Sequence, residues 1–428
     1  MTTAADKLRR PGYAPPANTV VGRRGLHTRD RIVSCAAEVF LQNGFHSTSI
    51  DTIAKSAAAS RATIYQYFAD KEAIFAELSR AAVRSVLGLG ERLGPLGPTA
   101  DGLANLEAWM HEWADIYDAH AAVFAEYPGI GTVMGLTAVD AHSVPETFTR
   151  HVTDRLRSAP VSGLEIADAV AALMRIPHMV NLYRHRGLFG LPSRETVSGS
   201  LAIALQLMLF PDRADTMTFA AVAPRLNVAI PVADDELKPS PIRRDVLSVS
   251  SQLFAQRGYY AVGMADIAAA ADISRATLYR YFSTKDMILA ELTRAAVIEA
   301  EHHAAALKLL TTNGVDAEQF SRWTHDYVRF HRAYSGVIRA WFDGTVAERL
   351  SEAAVGDGIA SIRGAVAALL KTATLPTGVD PATAQAVFLA ILGRMTEPTV
   401  PGQSDAHAAE VIVALLGRSL LSQLGAAT

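Results

Sequence analysis

One cysteine stands in 428 residues, so Cys35 has no partner for an internal disulfide. Its neighbours Val33, Ala36 and Ala37 are apolar in a helical pattern, which predicts a structural thiol in a reducing compartment. No apolar run approaches the ~20 residues that crossing a bilayer requires. The opening stretch MTTAADKLRRPGYAPP lacks the apolar core of a secretory signal, so a cytoplasmic, membrane-free protein is expected. Charge is sparse and balanced: 19% of the residues are charged and the formal net charge is −3, which excludes a uniformly basic nucleic-acid binder. Catalytic signatures are missing too, with no Walker glycine–lysine loop, no zinc-type cysteine set and no nucleophile elbow. His302 and His303 project in different directions from a helix, and His325 with His331 lacks the i, i+4 spacing of a helical zinc pair. Neither an enzyme nor a metal or other cofactor is therefore expected.

What the chain has is a duplication. Residues 44–71 read GFHSTSIDTIAKSAAASRATIYQYFADK and residues 258–285 read GYYAVGMADIAAAADISRATLYRYFSTK, 214 positions apart. Trp109 and Trp323 keep the same offset, so the repeat extends beyond these segments. A chain of this length exceeds one core. Ala, Leu and Ile fill long stretches while Gly and Pro gather in short ones, which predicts an all-α fold.

Within each copy the local signals are consistent. Ile32, Ala36 and Phe40 recur every four residues and give one helix an apolar face, matched by Val246, Ser250 and Phe254. Gly44 and Gly258 suit the positive φ that ends a helix. A short helix follows over 50–57 or 264–271, then a tight turn, then Ser60 or Ser274 placed to cap a third helix. Inside that helix Ile64 and Phe68, or Leu278 and Phe282, face inward. Arg61, Ala62, Tyr65 and Gln66 are left outward in one copy, and Arg275, Ala276, Tyr279 and Arg280 in the other. Positive charge concentrates here: residues 1–75 hold ten Lys or Arg against six Asp or Glu, and residues 243–290 hold six against four.

A helix, a tight turn and a capped second helix form the geometry that places a recognition helix in the major groove of double-stranded DNA. Arg61 and Arg275 suit guanine edges or phosphates, the hydroxyls of Thr63, Thr277, Tyr65 and Tyr279 suit the backbone, and Lys71 and Lys285 would approach phosphates. The segments TIAKSAAASRATIYQYFADK and DIAAAADISRATLYRYFSTK resemble the DNA-binding motif of TetR-family transcriptional regulators. The resemblance covers 29–78 and 243–292, and is only architectural over the other helices. It implies a three-helix DNA-binding domain followed by a helical domain for effector binding and dimerisation, and a ligand that releases the protein from an operator. It assigns DNA contacts to Tyr65, Tyr67 and Lys71, with Tyr279, Tyr281 and Lys285 in the second copy. Its reading face falls on Arg61, Thr63 and Gln66, and on Arg275, Thr277 and Arg280. One departure stands out: the family's turn glycine is Ala58 here and Asp272 in the second copy, which leaves open that the first motif no longer touches DNA.

The expected organisation is a flexible basic arm (1–27), a first DNA-binding domain (28–78) and a first helical regulatory domain (79–210). A linker (211–241), a second DNA-binding domain (242–292) and a second regulatory domain (293–428) complete the chain. Helices are expected over 71–89, 103–126, 131–139, 146–157, 164–183 and 194–210, with counterparts at 285–310, 317–332, 336–353, 356–372, 382–396 and 406–424. The arm either enters a minor groove or is a solvated tail. Gln66 opposite Arg280 points to an operator with two unlike half-sites, since Gln favours adenine and Arg guanine. Tethering lets one chain act as an intrachain pseudo-dimer, with 164–183 and 194–210 packing on 382–396 and 406–424, although the same surfaces would serve a homodimer. An apolar small-molecule effector would be lined by Trp109, Trp113, Tyr117, Phe124, His178, Asn181 and Tyr183 in one unit. In the other the candidates are Trp323, Tyr327, Phe330, His331, Trp341 and Met395. The alternative reading is a helical small-molecule-binding protein or enzyme whose helix-turn-helix motifs have degenerated.

Overall fold

The computed structural model describes residues 19–125, 143–211, 240–313, 315–341 and 352–422. The expected helix 131–139 and residues 212–239 of the linker lie outside this range. Among the described residues the fold is all-α, and its elements repeat in order. The first half runs α1 (Thr19–Asn43), α2 (Ile50–Ser56), α3 (Arg61–Tyr67), α4 (Lys71–Arg92), α5 (Ala100–Ala119), α6 (Ala121–Phe124), α7 (Ser143–Arg157), α8 (Ile166–His185) and α9 (Arg194–Leu209). The second runs α10 (Pro241–Arg257), α11 (Met264–Ala270), α12 (Arg275–Tyr281), α13 (Lys285–Asn313), α14 (Ala317–Ala333), α15 (Ser335–Trp341), α16 (Glu352–Thr372), α17 (Pro381–Arg394) and α18 (Asp405–Arg418). One expectation is corrected: α1 already begins at Thr19, so residues 19–27 are helical rather than part of a flexible arm. Their composition hid this, because Gly22 and Gly25 read as breakers while the helix continues through them.

The chain divides into two compact units, 1–88 with 116–148, and 89–115 with 149–428. The first unit is built around one head. Ile32, Ala36 and Phe40 of α1 close over Ile53 and Ala54 of α2, Ile64 of α3, and Phe68, Ile74 and Phe75, all buried. The four-residue spacing seen in the sequence is thus the core-facing stripe of α1. Phe40, Phe45 and Phe75 meet with ring centroids 4.8–5.7 Å apart, the separation at which tilted aromatic rings attract.

The second unit contains the other head with its later helices and, from the first half, most of α5 and α7 and all of α8 and α9. Val246, Ser250 and Phe254 of α10 are wholly buried, with Ile267, Leu278 and Phe282. Helix α15 crosses α10 closely enough that a Cβ on Gly336 would lie 2.4 Å from the Ala255 amide nitrogen, so that position requires glycine. Helix α13 lies along α16, and α14 packs on α18.

Halves one and two also meet inside this unit. Helix α8 packs on α17, and α9 on α17 and α18, joining the stretches singled out from the sequence. Polar contacts tie the seam. Arg175 of α8 donates to the carbonyls of Arg394 (3.2 Å), Glu397 (2.8 Å) and Pro398 (3.0 Å). Arg418 of α18 donates to the carbonyls of Ser162 (2.7 Å) and Gly163 (2.6 Å). Asp168, 1% exposed, accepts from Thr399 and faces His407 Nε2 at 2.8 Å. No described helix is long and apolar enough to cross a membrane.

Candidate nucleic-acid interface

Each head presents its third helix by the same devices. Helix α1 ends at Gly44 with φ 75°, and α10 at Gly258 with φ 79°, a backbone that a side chain would strain. Ser49 caps α2 by accepting from the Thr52 amide, while in the second head the Asp266 carboxylate accepts from the Gly263 amide at 2.8 Å. The turn between second and third helices is left-handed at one residue, Ala58 (φ 45°) or Asp272 (φ 53°). The Ser60 hydroxyl then accepts from the Thr63 amide and that of Ser274 from the Thr277 amide, both at 3.0 Å, satisfying a donor that the helix itself leaves over.

With Ile64 and Phe68 buried on one side, Arg61, Ala62 and Gln66 are exposed and Thr63, Tyr65 and Tyr67 half-buried at the edge of the face. In the second copy Arg275, Ala276, Tyr279 and Arg280 are exposed, Tyr279 to 53%, and Thr277 and Tyr281 half-buried. The reading-face candidates of each head are therefore brought together on one short helix. The two faces differ in charge. Arg61 hydrogen-bonds Tyr65 and lies 3.2 Å from Asp51 Oδ1, and both neighbours raise its pKa, Tyr65 the more. In the second head Ala265 replaces Asp51, and among the described residues Arg275 makes no ion pair.

A family model described as bacterial regulatory proteins, tetR family, matches residues 32–78 and 246–292. The two matched stretches are the two three-helix heads. Over 47 residues the chain is 51% identical to the HTH-type transcriptional regulator UidR of Escherichia coli (strain K12), which covers 11% of this chain and 24% of UidR. Over 64 residues it is 39% identical to the HTH-type transcriptional repressor KstR2 of Rhodococcus jostii (strain RHA1), 15% of this chain and 31% of that one. The match thus spans a quarter to a third of the relatives' own length. The solved structure of Salmonella enterica GusR aligns over 45% of this chain and 98% of its own at 22% identity, with a TM-score of 0.31.

In both heads the lysines take a different place from the one expected. Lys71 Nζ donates to the carbonyls of Phe45 (2.8 Å), His46 (3.1 Å) and Thr48 (3.0 Å) and lies over the Phe45 ring. Lys285 Nζ repeats this on Tyr259 and Val262, both at 2.7 Å. An ammonium has three donors, and these are turned onto the loop that follows the first helix rather than outward to phosphate. Sequence reasoning also missed a clamp. Arg29 pairs with Glu77 and stacks over Phe68, and Arg243 pairs with Glu291 and stacks over Phe282. Each clamp ties the first helix of its head to the fourth and covers the aromatic residue that ends the recognition helix. The preserved 214-residue offset of both partners was the signal that could have found it.

The effector candidates are spread over both halves. Trp109 donates to the Leu89 carbonyl and Trp323 to that of His303, both at 2.9 Å, so these equivalent indoles lock α5 to α4 and α14 to α13. Trp113 stacks on Trp109, and Tyr117 on Phe124. Trp341 donates to Thr293 Oγ1 at 3.3 Å. His178 and Asn181 are buried on α8, and the Asn181 amide donates to the Pro177 carbonyl at 3.0 Å. Tyr183 is buried on the same helix, its ring edge-on to Phe189 at 4.8 Å. Tyr327 lies between Trp323 and Phe330, and His331 Nδ1 meets Thr396 Oγ1 at 2.8 Å. Met395 caps the C-terminal end of α17 and is buried. Glu165, Asp168 and His407 bring metal-ligand atom types within 4.8 Å of one another, but the Asp168 oxygens already serve Thr399, Gln403 and His407.

Proposed function

We propose that the chain is a DNA-binding transcriptional regulator, a ligand-responsive repressor working in the cytoplasm, whose two heads read the two half-sites of one operator. The single observation that carries this reading is the pair of capped, outward-facing recognition helices, each bearing Arg, Thr, Tyr and either Gln66 or Arg280 on its exposed side. Base edges in the major groove are distinguished by such side chains. Tyr65, Tyr67, Tyr279 and Tyr281 take the flanking backbone in this reading, and Lys71 and Lys285 support the loop behind it.

Residues 28–78 and 242–292 act as the readers, and the later helices of each half as the regulatory domains. The packing of α8 and α9 on α17 and α18 supports an intrachain pseudo-dimer: one chain supplies both heads, so operator binding needs no second protomer. The effector, by preferring one packing of the helical domains, shifts the population of DNA-competent heads. Selection of bound duplexes from a random library, followed by footprinting with Tyr65→Ala and Tyr279→Ala, tests the reading. The expected result is a bipartite site in which each substitution erases protection over one half. A chain that is folded yet selects no sequence at low salt is not such a regulator.

A further inference from the structure

The C-terminal end of α17 gathers more cationic donors than its own acceptors use. Arg394, the last residue of that helix, is 5% exposed. Arg332, Arg339 and the first half's Arg175 converge on the segment that follows it. Most of their donors are satisfied. Arg175 serves three carbonyls of the segment. Arg332 Nε donates to the Thr396 carbonyl at 2.7 Å, and its Nη1 to Gln403 O and the Asp405 carboxylate. Arg394 Nη1 meets Glu397 Oε1 at 2.6 Å, and Arg339 Nη2 approaches the same oxygen at 3.6 Å. Two buried donors are left over: among the described residues Arg394 Nε and Arg332 Nη2 meet no acceptor.

A buried guanidinium with an unmade hydrogen bond is an expensive arrangement, and here the carboxylate that pairs with Arg394, that of Glu397, is shared with Arg339. Burial lowers the pKa of both Arg394 and Arg175, with Glu397 acting against it. His331 adds no charge here at neutral pH, because burial pushes it down to about 4. Tyr183 and Tyr327 are both buried, and the Tyr327 ring lies 6.0 Å from that of His331.

We propose that this cluster is a binding site for a small oxyanion, a carboxylate or phosphate group, held by Arg394 and Arg332 at the seam between the halves. Each arginine has one buried N–H left over, and each can donate one charge-assisted hydrogen bond to an oxygen of such a group. Glu397 is then an internal competitor that occupies part of the cluster when no ligand is present. Because Arg175 comes from α8, an occupant touches a site that both halves build, and its binding is linked to how α8 packs on α17. As the anionic end of an effector the site deepens the regulator reading and rests on it; as a binding site it does not.

The test is thermal unfolding of the full chain in sodium chloride, inorganic phosphate or sodium benzoate at equal pH and ionic strength. Phosphate or benzoate is expected to raise the Tm by about 2–4 °C over chloride, and whichever does so identifies the preferred oxyanion. Arg394→Gln and, separately, the more exposed Arg332→Gln should shrink that increment, whereas Glu397→Gln should enlarge it. A purely structural cluster would not respond to Glu397→Gln in that direction. Equal increments in the wild type and the variants, or none above chloride in both wild type and Glu397→Gln, would overturn the proposal. If Arg394→Gln does not fold, the other two variants decide. No DNA enters the assay, so its failure leaves the two-headed regulator standing, and a chain without operator preference leaves this site standing.

Discussion

Ala58 and Asp272 hold the same left-handed turn by different means. A Cβ in that region costs about 1 kcal/mol, and Asp tolerates it better than Ala. Ala58→Gly should therefore stabilise the first head by about 1 kcal/mol, measurable as a raised midpoint in urea, whereas Asp272→Gly should gain less. Lys71 makes the opposite case. Lys71→Met removes three charge-assisted hydrogen bonds from the 45–48 loop, a loss of about 2 kcal/mol for partly exposed carbonyls. The slope of log affinity against log salt should stay unchanged, whereas loss of a phosphate contact would lower it by about one. Asp51 is a residue-scale control on reading: it holds Arg61 at 3.2 Å on the first head, and Ala265 holds nothing on the second. Asp51→Ala should strengthen binding at the first half-site a few-fold and Ala265→Asp weaken the second, both read by competition with half-site-mutated duplexes.

At the scale of elements, α3 and α12 are each seven residues long, too short to persist alone, so caps and core contacts decide their existence. Ser60→Ala or Ser274→Ala should each cost about 1 kcal/mol and should loosen only the head that carries it, visible as faster amide exchange there. These helices were legible in the sequence because every signal was local: the turn residue, the serine cap, and the i, i+4 spacing of Ile64 with Phe68 and Leu278 with Phe282. The stripe Ile32, Ala36, Phe40 was legible for the same reason. The clamp between Arg29 and Glu77 was not, since its partners are 48 residues apart and either looks like an ordinary surface charge. The lysines misled because an ammonium beside a recognition helix has two plausible acceptors, phosphate and loop carbonyl, and only the path of the 45–48 backbone decides between them. The start of α1 was hidden by glycines, and the hydrogen bonds of Trp109 and Trp323 were not legible because their acceptors, the Leu89 and His303 carbonyls, lie one helix away.

At the scale of the whole molecule, the duplication has not kept the seam symmetric. Asp168 and Arg175 have Ala382 and Leu389 at the 214-residue offset, so the contacts of α8 with the 394–407 segment run from the first half to the second and have no reciprocal. Cutting at a protease site inserted between 212 and 239 should leave the two halves together as a one-to-one pair in size-exclusion chromatography. Acid should act on the second half through its histidines. Burial lowers His303 and His331 to about 4, whereas an unfolded histidine titrates near ~6.5. Between those values the unfolded chain binds protons that the folded one refuses, so stability increases with pH there. The contribution is complete above about pH 7 and is lost progressively as the pH falls towards 4, by up to about 3 kcal/mol for each histidine. His303→Leu and His331→Asn should each flatten the fall in urea midpoint between pH 7 and pH 4.5, and the two together should flatten it further. An unchanged slope in both variants would mean that these imidazoles take up protons in acid as readily in the folded chain as in the unfolded one. That would place a positive charge beside Arg332 and Arg394, and the cluster at the seam would then hold its anion more tightly in acid.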